Sequence, residues 1–226
     1  MKSLQSLSDS GLVWRADKPS FENRASIEFD RSTGFSKLNK ALLTNGWPEQ
    51  CLLELLLPQP ASGELSLFLP WLGKAAQQTD KKIAFIAPPF LPSLSALLAY
   101  GIKPQQIWLL SPNNLKEQLW AQQQCLTEGQ CLAVFMWHDE KTSDTTLRKL
   151  QLAAKQGECL GISVRPLTVQ AMSSPAPYRI LLKPMQERLV ELTVLKRRGG
   201  WAASPFGVNL DEPLRQTQHS KITSLI

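Results

Sequence analysis

The stretch Pro58–Leu65 is where residue types and spacing in this chain come nearest to a chemical site. An apolar run, CLLELLL, feeds a Pro/Gly turn, PQPASGE, and a second apolar run, LSLFLPWL, leaves it. A strand, a turn and a helix in that order make a phosphate-binding loop. Backbone N–H groups curl round the anion, and the positive end of the helix faces it. The working pattern is G-x-x-x-x-G-K-[ST]. Here it reads Pro58, Gln59, Pro60, Ala61, Ser62, Gly63, Glu64, Leu65, so only the second glycine is present. Glu64 stands where a lysine would meet the β- and γ-phosphates, and Leu65 where a hydroxyl would hold magnesium. At about 4 Å and an effective dielectric near 20, a unit-charge contact is worth roughly 4 kcal/mol. Reversing its sign removes useful affinity for a triphosphate. The same carboxylate also suits the free N–H groups that open a helix. Under both readings the chain is expected to hold no ATP, no metal and no other cofactor, and not to be an enzyme.

Two other groups carry chemistry. His138, Asp139 and Glu140 follow the apolar run ending at Trp137. A hydrolytic ATPase places an acid at such a strand end to hold magnesium through water. Without the lysine and the hydroxyl, Asp139 and Glu140 are expected in an exposed loop, with His138 as a loop histidine. Lys196, Arg197, Arg198, Gly199, Gly200 and Trp201 form a basic cluster, a flexible pair and an aromatic. Such a set can bind single-stranded DNA, holding its phosphates while the indole stacks on a base. A protein partner, or a solvated charge run without a partner, fits the same residues. Trp14, in an irregular N-terminal stretch, is a further candidate for partner contact or for packing on the chain's own body. The remaining tryptophans, at 47, 71, 108, 120 and 137, lie on or beside apolar runs and are expected in the core.

The elements that would position these groups alternate regularly. Leu38, Ala41 and Leu42 fall at helical spacing, and Asn45-Gly46 reads as a left-handed cap. Apolar strands are predicted over 51–57, 83–87, 106–110, 131–137 and 159–164. Helices are predicted over 65–78, with Pro70 bending it, and over 92–100. A third follows from Ser111-Pro112 to Glu128, and a fourth from Thr142 or Ser143 to Gln156. Continuous apolar strands alternating with helices imply a parallel sheet with right-handed crossovers and helices on both faces. Two β-like runs, 178–183 and 189–195, then predict an antiparallel hairpin on the sheet edge. Residues 1–26 read as an arm, 27–195 as one α/β domain, and 196–226 as a basic, partly disordered tail.

Composition permits this and excludes several alternatives. A chain of 226 residues with 43% hydrophobic residues can bury one substantial core. The net charge of +6 allows an acidic partner without requiring one, and residues 179–226 hold eight Lys/Arg against four Asp/Glu. Four cysteines never form C-x-x-C and read as buried thiols in a reducing cytoplasm. With two histidines there is no zinc constellation. No signal peptide and no membrane span are expected.

Ser32-Thr33-Gly34, Leu38-Asn39, Ala41-Leu42, Gly46, Pro48 and Leu53-Glu54, followed by the loop ending at Gly63, resemble the lead-in to the phosphate loop of RecA-type recombinases. The chain further resembles the ImuA family, in the ImuA/SulA branch of that superfamily. The carrying stretches include Gly46-Trp47-Pro48, Gly63-Glu64-Leu65, Ala87-Pro88-Pro89, Leu119-Trp120, Leu150–Ala154, Arg165-Pro166, Ser174-Pro175-Ala176 and Leu195–Gly200. The resemblance implies a RecA-like fold. It also implies a non-catalytic accessory role in SOS-induced translesion DNA synthesis, beside an ImuB-like Y-family relative and a DnaE-type polymerase. A contact with RecA or its filament is implied as well, as is a cytoplasmic location that becomes nucleoid-associated on DNA damage. The alternative is a SulA-type division inhibitor binding FtsZ, to which only the middle of the chain is similar; that shorter family lacks the Lys196–Gly200 block.

Overall fold

Every residue of Cys51–Leu57, strand β1, is buried, and only a strand covered on both faces suits such a run. The computed structural model describes residues 30–213 and shows how that cover is built. Seven further strands join β1: β2 (Lys82–Ile86), β3 (Ile107–Leu110), β4 (Cys131–Trp137), β5 (Leu160–Pro166), β6 (Tyr178–Pro184), β7 (Leu189–Lys196) and β8 (Phe206–Asn209). They form one sheet in the order β3-β2-β4-β5-β1-β6-β7-β8. Pairings from β3 through to β6 are parallel, and β7 and β8 are added antiparallel. Thus β1 lies between β5 and β6, with Leu53 opposite Ile162 on one side and Tyr178 on the other.

Successive side chains of a strand point to opposite faces, and the helices divide accordingly. Helices α1 (Ser36–Leu42), α2 (Glu64–Ala76) and α3 (Leu94–Ala99) pack on the face carrying Leu53, Leu55, Phe85, Phe135 and Ile162. Helices α4 (Leu115–Thr127) and α5 (Asp144–Gln156) cover Leu52, Ala84, Ile86, Val134 and Met136 on the other. Each fully buried leucine in these layers is worth about 1.5–3 kcal/mol. In the first layer Trp47 stacks on Phe68 at a centroid distance of 4.1 Å, and Phe68 meets the edge of Phe135 at 5.3 Å. This is the expected α/β class, with a mainly parallel sheet, helices on both faces and an antiparallel C-terminal hairpin.

Details differ for local reasons. The helix expected from Ser111-Pro112 starts at Leu115, because Asn114 accepts the Glu117 N–H at 3.0 Å and takes the cap. Ser143 caps α5 as predicted, accepting the Thr146 N–H at 3.2 Å. Helix α1 closes at left-handed Leu43 (φ 60°) before reaching Asn45-Gly46. Gly46 has another reason to be glycine: a Cβ there would lie 2.0 Å from the Arg31 carbonyl oxygen. The hairpin β6–β7 is not the sheet edge, since β8 pairs with Leu189–Leu192 and becomes the edge itself. That strand falls inside the stretch expected as a tail, where four residues gave too short a pattern. Trp120 is 65% exposed on the outer side of α4, in contrast to the core position expected for it. The four cysteines are free and buried, and burial pushes the thiols of Cys51 and Cys159 up to about 12. Trp14 and the arm read over residues 1–26 lie outside the described residues. No helix among the described residues is long and apolar enough to cross a membrane.

Candidate functional site

The turn between β1 and α2 bends through two left-handed residues, Ala61 (φ 63°) and Gly63 (φ 94°). Pro58 and Ala61 are exposed, Ser62 and Glu64 buried, and Gly63 and Leu65 half-buried. The Ser62 hydroxyl donates to the Gln59 carbonyl at 2.6 Å, so it serves the turn itself. Glu64 is the first residue of α2, yet its carboxylate does not serve the helix N–H groups. It folds back, and Oε1 accepts the Ala61 N–H at 2.9 Å. An amide that would face a bound anion is therefore satisfied by an anion belonging to the chain. Glu64 Oε2 is buried and has no hydrogen-bond partner. Leu210 Cδ1 sits 2.7 Å from where a Gly63 Cβ would be, so the residue following β8 packs against this glycine of the loop. One cation that the sequence reading passed over reaches this region. Arg188 donates to Ser66 Oγ in the first turn of α2 at 3.1 Å and to Asp211 Oδ1 at 3.0 Å.

At the end of β4 the three residues separate. Asp139 and Glu140 are exposed, as expected of a loop, and accept from the Thr142 and Thr168 hydroxyls at 3.0 and 3.2 Å. His138 is not a loop histidine. It is buried, and its N–H extends the ladder to the Val164 carbonyl at 2.9 Å. Its Nε2 is hydrogen-bonded to Gln122 Oε1 at 3.0 Å, and its Nδ1 to the Ser163 hydroxyl at 2.7 Å. Burial, with Arg165 nearby, lowers its pKa to about 4 and keeps the ring neutral.

Beside His138 lies the most polar part of the interior. Glu54 of β1 is fully buried between Arg165 of β5 and Arg179 of β6. Arg165 Nη1 lies 2.8 Å from its Oε1, and Arg179 Nε 2.7 Å from its Oε2. Each guanidinium also holds a strand-end loop by its carbonyls. Arg165 Nη2 donates to Asp139, Glu140 and Thr142, and Arg179 to Val169, Gln170 and Met172. The sequence signal was available: a carboxylate inside CLLELLL on a doubly covered strand requires buried partners. One carboxylate and two guanidiniums, all turned to the chain's own groups, brace the loops at the strand ends. Among the described residues no three His, Cys, Asp or Glu gather to hold a metal ion.

The basic block begins at Lys196, the last residue of β7, and makes a tight turn, with Arg197 bridged to Gly200 and the Ala203 N–H returning to the Val194 carbonyl at 2.9 Å. Its residues do unlike things. Lys196 Nζ donates to the Ser174 carbonyl at 2.8 Å. Arg197 donates through Nε to the Trp201 carbonyl at 2.7 Å and through Nη1 to the Ala41 carbonyl of α1. Arg198 and Gly199 are exposed, and the Trp201 side chain stands 91% exposed. The loop after β1 and the basic turn belong to different parts of the fold, and no hydrogen bond or ion pair among the described residues joins them.

No family model matches the sequence, and no curated protein matches it. Among solved structures, the chain is similar to the crystal structure of SulA from Pseudomonas aeruginosa, with 24% identity over 50% of this chain and 97% of that one, at a TM-score of 0.41.

Proposed function

We propose that this chain is a non-catalytic adaptor of SOS-induced translesion DNA synthesis. In this reading it presents a RecA-like body to an ImuB-like Y-family relative and a DnaE-type polymerase, and it binds and turns over no nucleotide. The observation that carries the non-catalytic part is the Glu64 carboxylate, which takes the Ala61 N–H inside the turn. A phosphate entering that turn would meet a buried negative charge in place of a lysine. The adaptor part is supported by the ordered resemblance running from Thr33 to Gly200.

Calorimetric titration with Mg-ATP tests the first part. No heat of binding is expected at millimolar nucleotide, and binding that disappears in Glu64→Ala would overturn it. Co-purification with the ImuB-like protein of the same genome tests the second. Retention of that partner is expected. Loss of the partner, together with filamentous growth on expression, would transfer the chain to the FtsZ-binding alternative.

A further inference from the structure

We propose that the turn after β7 is a platform for a single-stranded polynucleotide, on which Trp201 stacks against a base while Arg198, Lys196 and Lys40 face the phosphates. This goes beyond the adaptor reading and does not depend on it.

The platform is fixed by the fold, although its ligand face is open. Arg197 anchors the turn at two points, to the Trp201 carbonyl within it and to the Ala41 carbonyl on α1. The second bond sets Lys40, the exposed residue before Ala41, beside the turn. On the same side, Leu43 Cδ1 comes within 2.7 Å of where a Gly200 Cβ would lie. The backbone of Trp201 is thus held while its indole remains 91% exposed, a poor arrangement for water and a good one for a flat apolar partner.

The charges point to a polyanion. No ion pair among the described residues involves Lys40, Lys196, Arg197 or Arg198; the hydrogen bonds of Lys196 and Arg197 go to neutral carbonyls and leave their charge uncompensated. A protein docking site would need a broader apolar centre than one indole and Leu43 provide. A duplex hides its base faces in the stack, whereas a single strand offers them to an aromatic side chain.

The test is fluorescence anisotropy of the full chain with labelled oligo-dT and oligo-rU strands, and with a duplex for comparison. Both single strands are expected to bind, and their relative affinity shows whether the sugar is read. Raising salt from about 50 to 200 mM should weaken binding roughly twentyfold, the slope for about three phosphate contacts on a single strand. Trp201→Ala should weaken it about tenfold or more and abolish the quenching of tryptophan emission. Arg198→Ala should reduce the salt slope. Both positions are exposed, so unchanged thermal unfolding is the control on folding. Absence of binding to either strand at low salt, or equal affinity of Trp201→Ala and the unaltered chain, would overturn the proposal. Equal affinity for the duplex would overturn it as well.

Discussion

Glu54 Oε1 lies 2.8 Å from Arg165 Nη1, with 0% and 3% of the two side chains in solvent. Taking both charges out of water is expensive, and their mutual attraction repays it only while every partner stays in place. Glu54→Ala would leave Arg165 and Arg179 buried without a counter-charge, and should cost about 3–5 kcal/mol. Urea unfolding followed by circular dichroism measures it. A loss below about 1 kcal/mol would mean that water or the loop carbonyls already compensate the two guanidiniums.

His138 makes stability depend on pH in a defined window. Its pKa is about 4 in the folded chain, against an ordinary 6.5. Between these values the unfolded chain binds the proton and the folded chain does not, so stability rises with pH. The contribution is complete above 6.5 and is lost as pH falls toward 4. Between pH 7 and pH 5 the loss should be about 2 kcal/mol. Urea midpoints at the two pH values measure this, and His138→Gln should flatten the difference.

Arg197 and Arg198 are adjacent and both cationic, and their replacement should have unlike consequences. Arg197→Ala removes the bonds to Ala41 and Trp201 and should destabilise by about 1–3 kcal/mol. Arg198→Ala should stay within about 0.5 kcal/mol of the unaltered chain. Differential scanning calorimetry on the two variants separates them; equal shifts would show that the anchor to α1 contributes nothing in solution.

Gly46→Ala tests the close approach at the lead-in to β1. The new methyl would meet the Arg31 backbone at 2.0 Å, and backbone cannot rotate away as a side chain can. Destabilisation by about 1–3 kcal/mol is expected from the forced shift. A thermal midpoint equal to that of the unaltered chain would count against it.

The sheet was legible because its strands are continuous apolar runs. Cys51–Leu57 and Cys131–Trp137 have the predicted bounds to the residue. What escaped the sequence depends on partners far along the chain. Nothing near Arg197 indicates that its guanidinium reaches Ala41, 156 residues away. His138 read as a loop residue because the chain turns after Trp137, while the residues that bury it, Gln122 and Ser163, lie in α4 and β5. Strand β8 depends on pairing with β7 more than on its own four residues. At the loop, the missing lysine was visible in the sequence, but the backward fold of Glu64 onto Ala61 was not.

The position of β1 also bears on how the protein is made. Arg165 and Arg179, on the two strands that flank β1, follow Glu54 by 111 and 125 residues. At a synthesis rate of about 5–20 residues per second, CLLELLL waits roughly 6 to 25 s on the ribosome for both neighbours. During that interval it is a short, strongly β-forming, almost uncharged segment, the kind that pairs with copies of itself. Glu54 is its one charge. The carboxylate that braces the finished core is also the one charge interrupting this segment, the kind of residue that breaks up apolar strands prone to aggregate.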